Sequence, residues 1–272
     1  MSSLTRYPWR KGIVVFTQGD DLFLSVPFTW LLEEADEIAD LWHGTTYIGG
    51  PALMRPNEIE PISPISLHNP FATFTTRGCP NHCAFCAVPK LEPTFKEIKN
   101  FKPAPIVCDN NLLAATDKHL MRVVDASRKF DEVDFNQGLE ARRFTPTKAD
   151  LLGMLKCKVR FAFDHVNDEA PLKDAIDLCK KRTTKKIGVY VLIGFKDTPE
   201  DAQYRLEKVR EWGLLPNPMR FQPLNAKKKN EYVGKNWTDA ELKKMARYYS
   251  RLRYTSKIPY EEFDNTYHRS KT

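Results

Sequence analysis

The reading of the fold turns on one stretch: Lys186-Ile187-Gly188-Val189-Tyr190-Val191-Leu192-Ile193-Gly194-Phe195-Lys196-Asp197-Thr198-Pro199. Its first part, Lys186–Ile193, is a short apolar run rich in Val and Ile and bounded by polar and turn residues, the pattern of a buried parallel strand. A helical pattern over 198–212 follows. Thr198 suits an N-cap, Pro199 suits the first helical position, and Gly213 lies just past the end. The segment therefore reads as one β–α unit.

The same unit recurs on both sides. Apolar runs stand at Phe71–Thr75, Pro105–Cys108, Glu132–Phe135, Val159–Phe163 and Met219–Gln222. Between them lie helical patterns over 116–129, 146–156 and 168–182. The first sets Leu120, Val123, Val124 and Ser127 on one face, and the second opens with Pro146 behind Thr145. About six such units imply a parallel sheet with helices outside it, and they are too few for a closed eight-unit barrel. The expectation is an α/β protein built on a partial (β/α)6 barrel over residues 71–225.

Two extensions flank that core. Residues 1–70 read as a short α/β extension: a strand at Lys11–Phe16, a helix at Phe28–Trp42 with Leu31, Ala35, Ile38 and Trp42 at helical spacing, a strand at Thr46–Ile48 before Gly49-Gly50-Pro51, and a proline-rich connection from Arg55 to Pro70. Residues 226–272 read as a basic extension that begins near Lys227-Lys228-Lys229 and carries a helix around Thr238–Arg253.

Composition narrows the class. The chain is 42% hydrophobic and 28% charged, which excludes disordered, collagenous and coiled-coil proteins. The most tempting apolar stretch, Leu22–Leu32, contains Pro27 and falls far short of the ~20 residues that cross a bilayer, so no membrane association is expected. The start, Met1–Arg6, lacks the apolar centre of a signal peptide, and the cytoplasm is the expected location. The net charge is +7, unevenly spread: residues 1–70 hold 4 basic and 9 acidic side chains, residues 220–272 hold 13 and 6. A basic tail fits either an anionic partner or a solvated face.

Six cysteines divide into two sets. Cys108, Cys157 and Cys179 are scattered beside apolar residues, as small buried hydrophobes are. Cys79, Cys83 and Cys86 fall together in Arg77-Gly78-Cys79-Pro80-Asn81-His82-Cys83-Ala84-Phe85-Cys86. Thiolates are soft ligands that select zinc, copper(I) or iron–sulfur clusters. A structural zinc site wants a closed set of four ligands. His82 is the only nearby fourth donor by composition, and its place between two of the cysteines is awkward for a shared centre. Three ligands with a position left open point to a reactive centre.

The run Cys79-x3-Cys83-x2-Cys86, with Phe85 just before the last cysteine and the whole loop after the first strand of a β/α series, resembles the signature of the radical S-adenosylmethionine (radical SAM) superfamily. The resemblance covers roughly residues 70–225 and is nearest in pattern to the MiaB-like and cobalamin-dependent branches. It implies a [4Fe–4S] cluster on the three cysteines and SAM chelated to the fourth iron. It further implies reductive cleavage of SAM to a 5′-deoxyadenosyl radical that abstracts hydrogen from a substrate, with an electron donor such as flavodoxin or ferredoxin. Under the same resemblance Asp109, Asn110 and Asn111 stand where the family meets the SAM amino group, although Asp and Asn equally suit a turn and a helix start. Gln137, Glu140 and Arg142 follow the third strand as polar contacts, Arg142 being suited to a carboxylate. Asp164 is placed to meet a ribose hydroxyl, with His165 beside it. Val189–Phe195, with Ile193 and Gly194 near its end, stands where the family's adenine lies against a hydrophobic strand, and Arg220, Gln222 and Asn225 are mouth residues. The N-terminal strand–helix–strand–Gly-Gly-Pro pattern resembles the last part of a cobalamin-binding domain. It is much shorter, however, and no Asp-x-His-x-x-Gly motif occurs, so cobalamin is not expected.

The substrate stays open among nucleic acid, nucleotide, peptide and small metabolite. The C-terminal Lys227, Lys228, Lys229, Trp237, Arg247, Tyr248, Tyr249, Arg251, Arg253 and Tyr254 fit a nucleic-acid groove. They fit equally an amphipathic helix with its tyrosines packed inward. A non-catalytic iron–sulfur protein acting as a sensor or electron carrier, and a zinc-stabilised nucleic-acid module, are the alternatives to an enzyme.

Overall fold

A computed structural model describes residues 5–6, 12–53, 69–182 and 186–264. The first region is a four-stranded sheet of β1 (Thr5–Arg6), β2 (Val14–Gln18), β3 (Asp21–Ser25) and β4 (Thr46–Gly49), with helix α1 (Leu32–Asp40) in the crossover from β3 to β4. Strands β2 and β3 pair antiparallel across Gly19-Asp20, and β3 pairs with β4 in parallel. The expected first strand is thus shifted toward Gln18, and Asp21–Ser25 is a strand that the sequence reading left unassigned. Its alternation turns Leu22 and Leu24 into a small core with Ile13, Val15, Leu31 and Ala35. The helix is shorter than Phe28–Trp42 because Thr29–Leu31 forms a 3-10 turn ahead of it. Most of the connection from Arg55 to Pro70 lies outside the described residues.

The larger region begins with β5 (Ala72–Thr73) and β6 (Thr76–Arg77), continues through α2 (Val88–Leu91) and β7 (Lys96–Glu97), and then alternates. The alternating part comprises β8 (Ile106–Val107), α3 (Asp117–Ser127), β9 (Val133–Phe135), α4 (Pro146–Gly153), β10 (Cys157–Ala162), α5 (Glu169–Arg182), β11 (Lys186–Ile193), α6 (Pro199–Glu211) and β12 (Pro216–Arg220). Helices α7 (Asp239–Tyr249) and α8 (Leu252–Thr255) close the described chain. The sheet has six strands in the order β12-β11-β10-β9-β8-β5, all parallel. Spatial order follows chain order without a reversal, so crossovers of the usual single hand carry the helices to one face. On that face Val159, Phe161, Val189, Val191 and Ile193 meet Leu120, Val124, Leu152, Ile176 and Leu206 in one continuous core.

Local chemistry explains the element ends. Thr116, Thr145, Thr198 and Thr238 each accept a backbone N–H from three residues on, and Thr238 with Glu241 completes a reciprocal capping box. The last strand lies earlier than Met219–Gln222 because it includes Pro216 and Pro218. An edge strand tolerates proline, since one side of it needs no donor. The C-terminal helix is split at Ser250 into α7 and α8.

The C-terminal region belongs to the same core as the sheet. Tyr248, Tyr249 and Tyr254 are 1%, 0% and 2% exposed and pack with Phe263, Leu242 and Met245. These tyrosines are therefore core residues and offer no stacking face. Cys157 and Cys179 are buried as expected, and Cys108 is half-buried. Among the described residues no helix is long and apolar enough to cross a membrane.

Candidate functional site

The cysteine loop leaves the sheet after β5 and is clasped at its base. Strands β6 and β7 pair antiparallel on either side of it, Thr76 opposite Glu97 and Arg77 opposite Lys96. Within the clasp the Arg77 guanidinium forks onto Glu92, with Nε donating to Oε2 at 2.8 Å, and the Gly78 N–H donates to the same oxygen at 3.1 Å. Gly78 takes φ +71°, and a Cβ there would stand 2.3 Å from the Thr94 carbonyl oxygen, so only glycine fits. A turn then draws the Cys86 N–H to the Cys83 carbonyl at 3.0 Å.

This brace delivers Cys79, Cys83 and Cys86 to one cavity of about 170 Å³. The other walls come from residues that follow β8, β9 and β10: Asn110 and Asn111, then Gly138, Glu140 and Arg142, then Asp164 and Asp168. These residues sit beyond the carboxyl ends of their strands, where parallel α/β sheets place their ligands. Burial, followed by the charges of Cys86 and Cys79, raises the Cys83 thiol. Burial raises Cys86 as well, against a backbone N–H from Val88 that favours the thiolate. Among the described residues no group of three His, Cys, Asp or Glu side chains is drawn together closely enough to hold a metal ion. The three thiols share a cavity without closing on a point.

Around the thiols runs a polar network. The Asn111 carboxamide donates to Cys79 Sγ at 3.3 Å and to Glu140 Oε2 at 3.2 Å, and the Asn81 N–H donates to Cys79 Sγ at 3.5 Å. Glu140 also accepts from the Asn81 side chain and, at 2.6 Å, from Arg142 Nε. Glu140 is therefore held by three of the protein's own donors. Two acceptors are not: Asn110 Oδ1 and Asn111 Oδ1 are buried without a partner among the described residues. Buried acceptors of this kind cost free energy unless a donor reaches them.

A second cavity of about 380 Å³ adjoins the first, with Phe85 and Asp164 lining both. Its apolar walls are Phe85, Val166, Leu192 and Phe195, and its polar groups include Lys196, Asp197 and Arg205. Phe195 meets Phe85 edge-on at 6.0 Å. Asp164, where the cavities meet, has its carboxyl pushed up to about 6 by burial, against the pull of Arg205.

The structure separates the residues named from sequence. Cys79, Cys83, Cys86, Phe85, Asn110, Asn111, Glu140, Arg142 and Asp164 come together. Asp109 turns away: it is 3% exposed and accepts from the backbone N–H groups of Thr75 and Thr76, holding the β5–β6 junction. Ile193 lies in the helix-side core, and its neighbour Leu192 lines the cavity instead. Gly194, at φ +83°, leaves room for Leu242 of α7, which a Cβ would meet at 2.7 Å. Gln137 is exposed and lines neither cavity. Gln222 bonds Asn230, and Arg220 pairs with Asp239 at 2.9 Å. His165 lines the larger cavity, but its Nδ1 accepts the Asn167 N–H as a helix cap.

Some residues of the site were missed. Asn81 lies inside the cysteine motif with no spacing of its own to mark it. Arg205 had a signal, a charge on the buried helical face with Ala202, Leu206 and Val209. Phe195 closes the Val189–Phe195 run read as the adenine strand, and Lys196 had only its place after that strand.

Comparison with protein-family models, with curated proteins and with solved structures yields no match to this chain.

Proposed function

We propose that the chain is a radical SAM enzyme in which Cys79, Cys83 and Cys86 hold a [4Fe–4S] cluster. One observation carries this reading: three thiols and two partnerless carboxamide oxygens line a single cavity beyond the carboxyl ends of the strands. The donor set fits the cluster, because three soft thiolates on one loop are what an iron–sulfur centre with an open iron needs. Asn111 and Asn81 donate hydrogen bonds to Cys79 sulfur, and such bonds set cluster potential. The unreversed order of the six-stranded sheet is the order of a partial (β/α)6 barrel.

With a cluster and SAM bound, the chemistry supplied is one-electron cleavage of SAM and hydrogen abstraction from substrate. The chain's residues do the binding and orienting. The Asn110 and Asn111 oxygens would accept from the SAM ammonium, and the Arg142 guanidinium would face its carboxylate. Asp164 would accept from ribose hydroxyls, and Phe85, Leu192 and Phe195 would cover the base and exclude water. SAM would thus span both cavities, its methionyl end toward the thiols.

The test is anaerobic reconstitution with iron and sulfide. The expected result is about four of each per chain, as a [4Fe–4S] centre requires. SAM should then alter the electron paramagnetic resonance spectrum of the reduced cluster. Replacing any one of Cys79, Cys83 and Cys86 by Ala should abolish loading. A chain that takes up zinc and refuses iron and sulfide would overturn the reading.

A further inference from the structure

The loop after β12 is shaped to present a basic patch. Gln222 and Asn230 close it: Gln222 Nε2 donates to Asn230 Oδ1 at 2.8 Å, and the Asn230 N–H donates to Gln222 Oε1 at 3.1 Å. Asn230 turns the chain with φ +61°, a conformation that asparagine tolerates. Between the two, Lys227, Lys228 and Lys229 all stand exposed, and none is ion-paired among the described residues. The one acidic side chain of the loop, Glu231, is occupied by the backbone N–H of Lys227.

An aromatic pair from the N-terminal region is docked against this loop. The Thr29 hydroxyl donates to the Leu224 and Ala226 carbonyls. Its neighbours Phe28 and Trp30 stack on each other at 4.5 Å, 6° from parallel, and Phe28 remains 49% exposed. The half-exposed Phe28 thus belongs to the segment that docks at Ala226, the residue just before the three lysines. From the loop an aromatic series leads inward: Tyr232 to Phe221 at 5.0 Å, Phe221 to Phe195 at 4.7 Å, and Phe195 to Phe85 between the two cavities.

We infer that the Lys227–Lys229 loop and Phe28 form a binding site for a single-stranded nucleic acid. Clustered lysines neutralise backbone phosphates, and an exposed ring takes an unstacked base, the pairing found in sequence-tolerant single-strand binders. A duplex offers no free base face to Phe28. The buried tyrosines of α7 and α8 have no part in this site. That the strand also delivers a nucleotide to the cysteine cavity rests on the function proposed above; the binding itself does not.

The experiment uses the full chain and fluorescein-labelled oligo-dT and oligo-U of about ten nucleotides, within the span of a single-strand site. Fluorescence anisotropy is read across a salt series. With three phosphate contacts the slope of log affinity against log salt should be about −2. The Lys227→Ala/Lys228→Ala/Lys229→Ala chain should bind at least ~10-fold more weakly with the slope nearly lost, and the three Lys→Arg replacements should restore both. Phe28→Ala and the better-packed Phe28→Leu should each weaken binding about 5- to 100-fold while leaving the slope unchanged. The Cys79→Ala/Cys83→Ala/Cys86→Ala chain should bind as the wild type does, which separates this claim from the cluster chemistry. Equal binding by wild type and the triple lysine variant would overturn the inference. So would indifference to Phe28 combined with equally lysine-dependent binding to phosphatidylserine vesicles or heparin, which would mark a general anion or membrane surface.

Discussion

At the residue scale the strongest consequence concerns Asp164. Its carboxyl is raised from 3.8 to about 6, chiefly by burial. The folded state thus holds this proton more tightly than the unfolded state does. Its contribution is fully favourable below pH 3.8 and is lost as pH rises through about 6. The cost above that window is at most ~3 kcal/mol. Asp164→Asn should therefore melt a few degrees above the wild type at pH 7.5, and the difference should vanish near pH 4. Under the proposed function the same variant should also weaken SAM binding. A melting difference that does not change with pH would contradict the assignment. Gly78 supports a second prediction. Gly78→Ala adds a Cβ against the Thr94 carbonyl at a positive φ, a strain of at least ~1–2 kcal/mol confined to the cysteine loop. Under the proposed function, circular dichroism should stay near that of the wild type while iron per reconstituted chain falls several-fold. The three cysteines were legible from residue type and spacing, and Asn110, Asn111 and Asp164 from the strand-end positions that the family resemblance implies. Ile193 was read for Leu192 because an unbroken apolar run hides which side chains face which side. Asp109 could not be read, since its partners Thr75 and Thr76 are distant in sequence and meet it only in the fold.

At the element scale the strand ends are tied together by Arg205 of α6. It is 1% exposed, and its Nη1 donates to the carbonyls of Phe163 at 2.9 Å and Leu192 at 2.7 Å, while Nη2 meets Asp197. One side chain thus joins the ends of β10 and β11, the two strands that set the shared wall of the cavities. Asp197 keeps other donors, the Gly194 and Phe195 N–H groups and Trp237 Nε1. Arg205→Met should therefore cost ~3 kcal/mol, the lower end for a broken buried pair, read as a lower urea midpoint. Lysine should not restore it, because an ammonium lacks the fork that reaches two carbonyls and a carboxylate. The helices were legible to within a few residues, because threonine caps and proline starts are local signals. Strand β12 was misplaced because Pro216 and Pro218 argue against a strand unless its edge position is known. Strand β3 was missed because Asp21–Ser25 runs on without a break into the apolar Val26, Pro27 and Phe28.

At the scale of the whole molecule the sheet fixes where chemistry can occur. Six parallel strands in chain order gather their following loops at one end, and there the thiols, carboxamides and Asp164 meet. The N-terminal sheet and the C-terminal helices add to that end from outside: Thr29 docks on the loop after β12, and Leu242 packs over Gly194. The repeat of β–α units made the parallel sheet readable from sequence. The docking of the flanking regions was not readable, since it depends on single contacts between segments far apart in the chain. The most direct measurement of the central claim is the formation of 5′-deoxyadenosine by the anaerobically reconstituted, reduced protein given SAM, with and without single-stranded oligonucleotide. For a radical SAM enzyme, 5′-deoxyadenosine is expected in amounts that rise with the protein and vanish in the Cys79→Ala, Cys83→Ala and Cys86→Ala chains. A chain carrying a full cluster and binding SAM that forms none under either condition would contradict radical SAM chemistry.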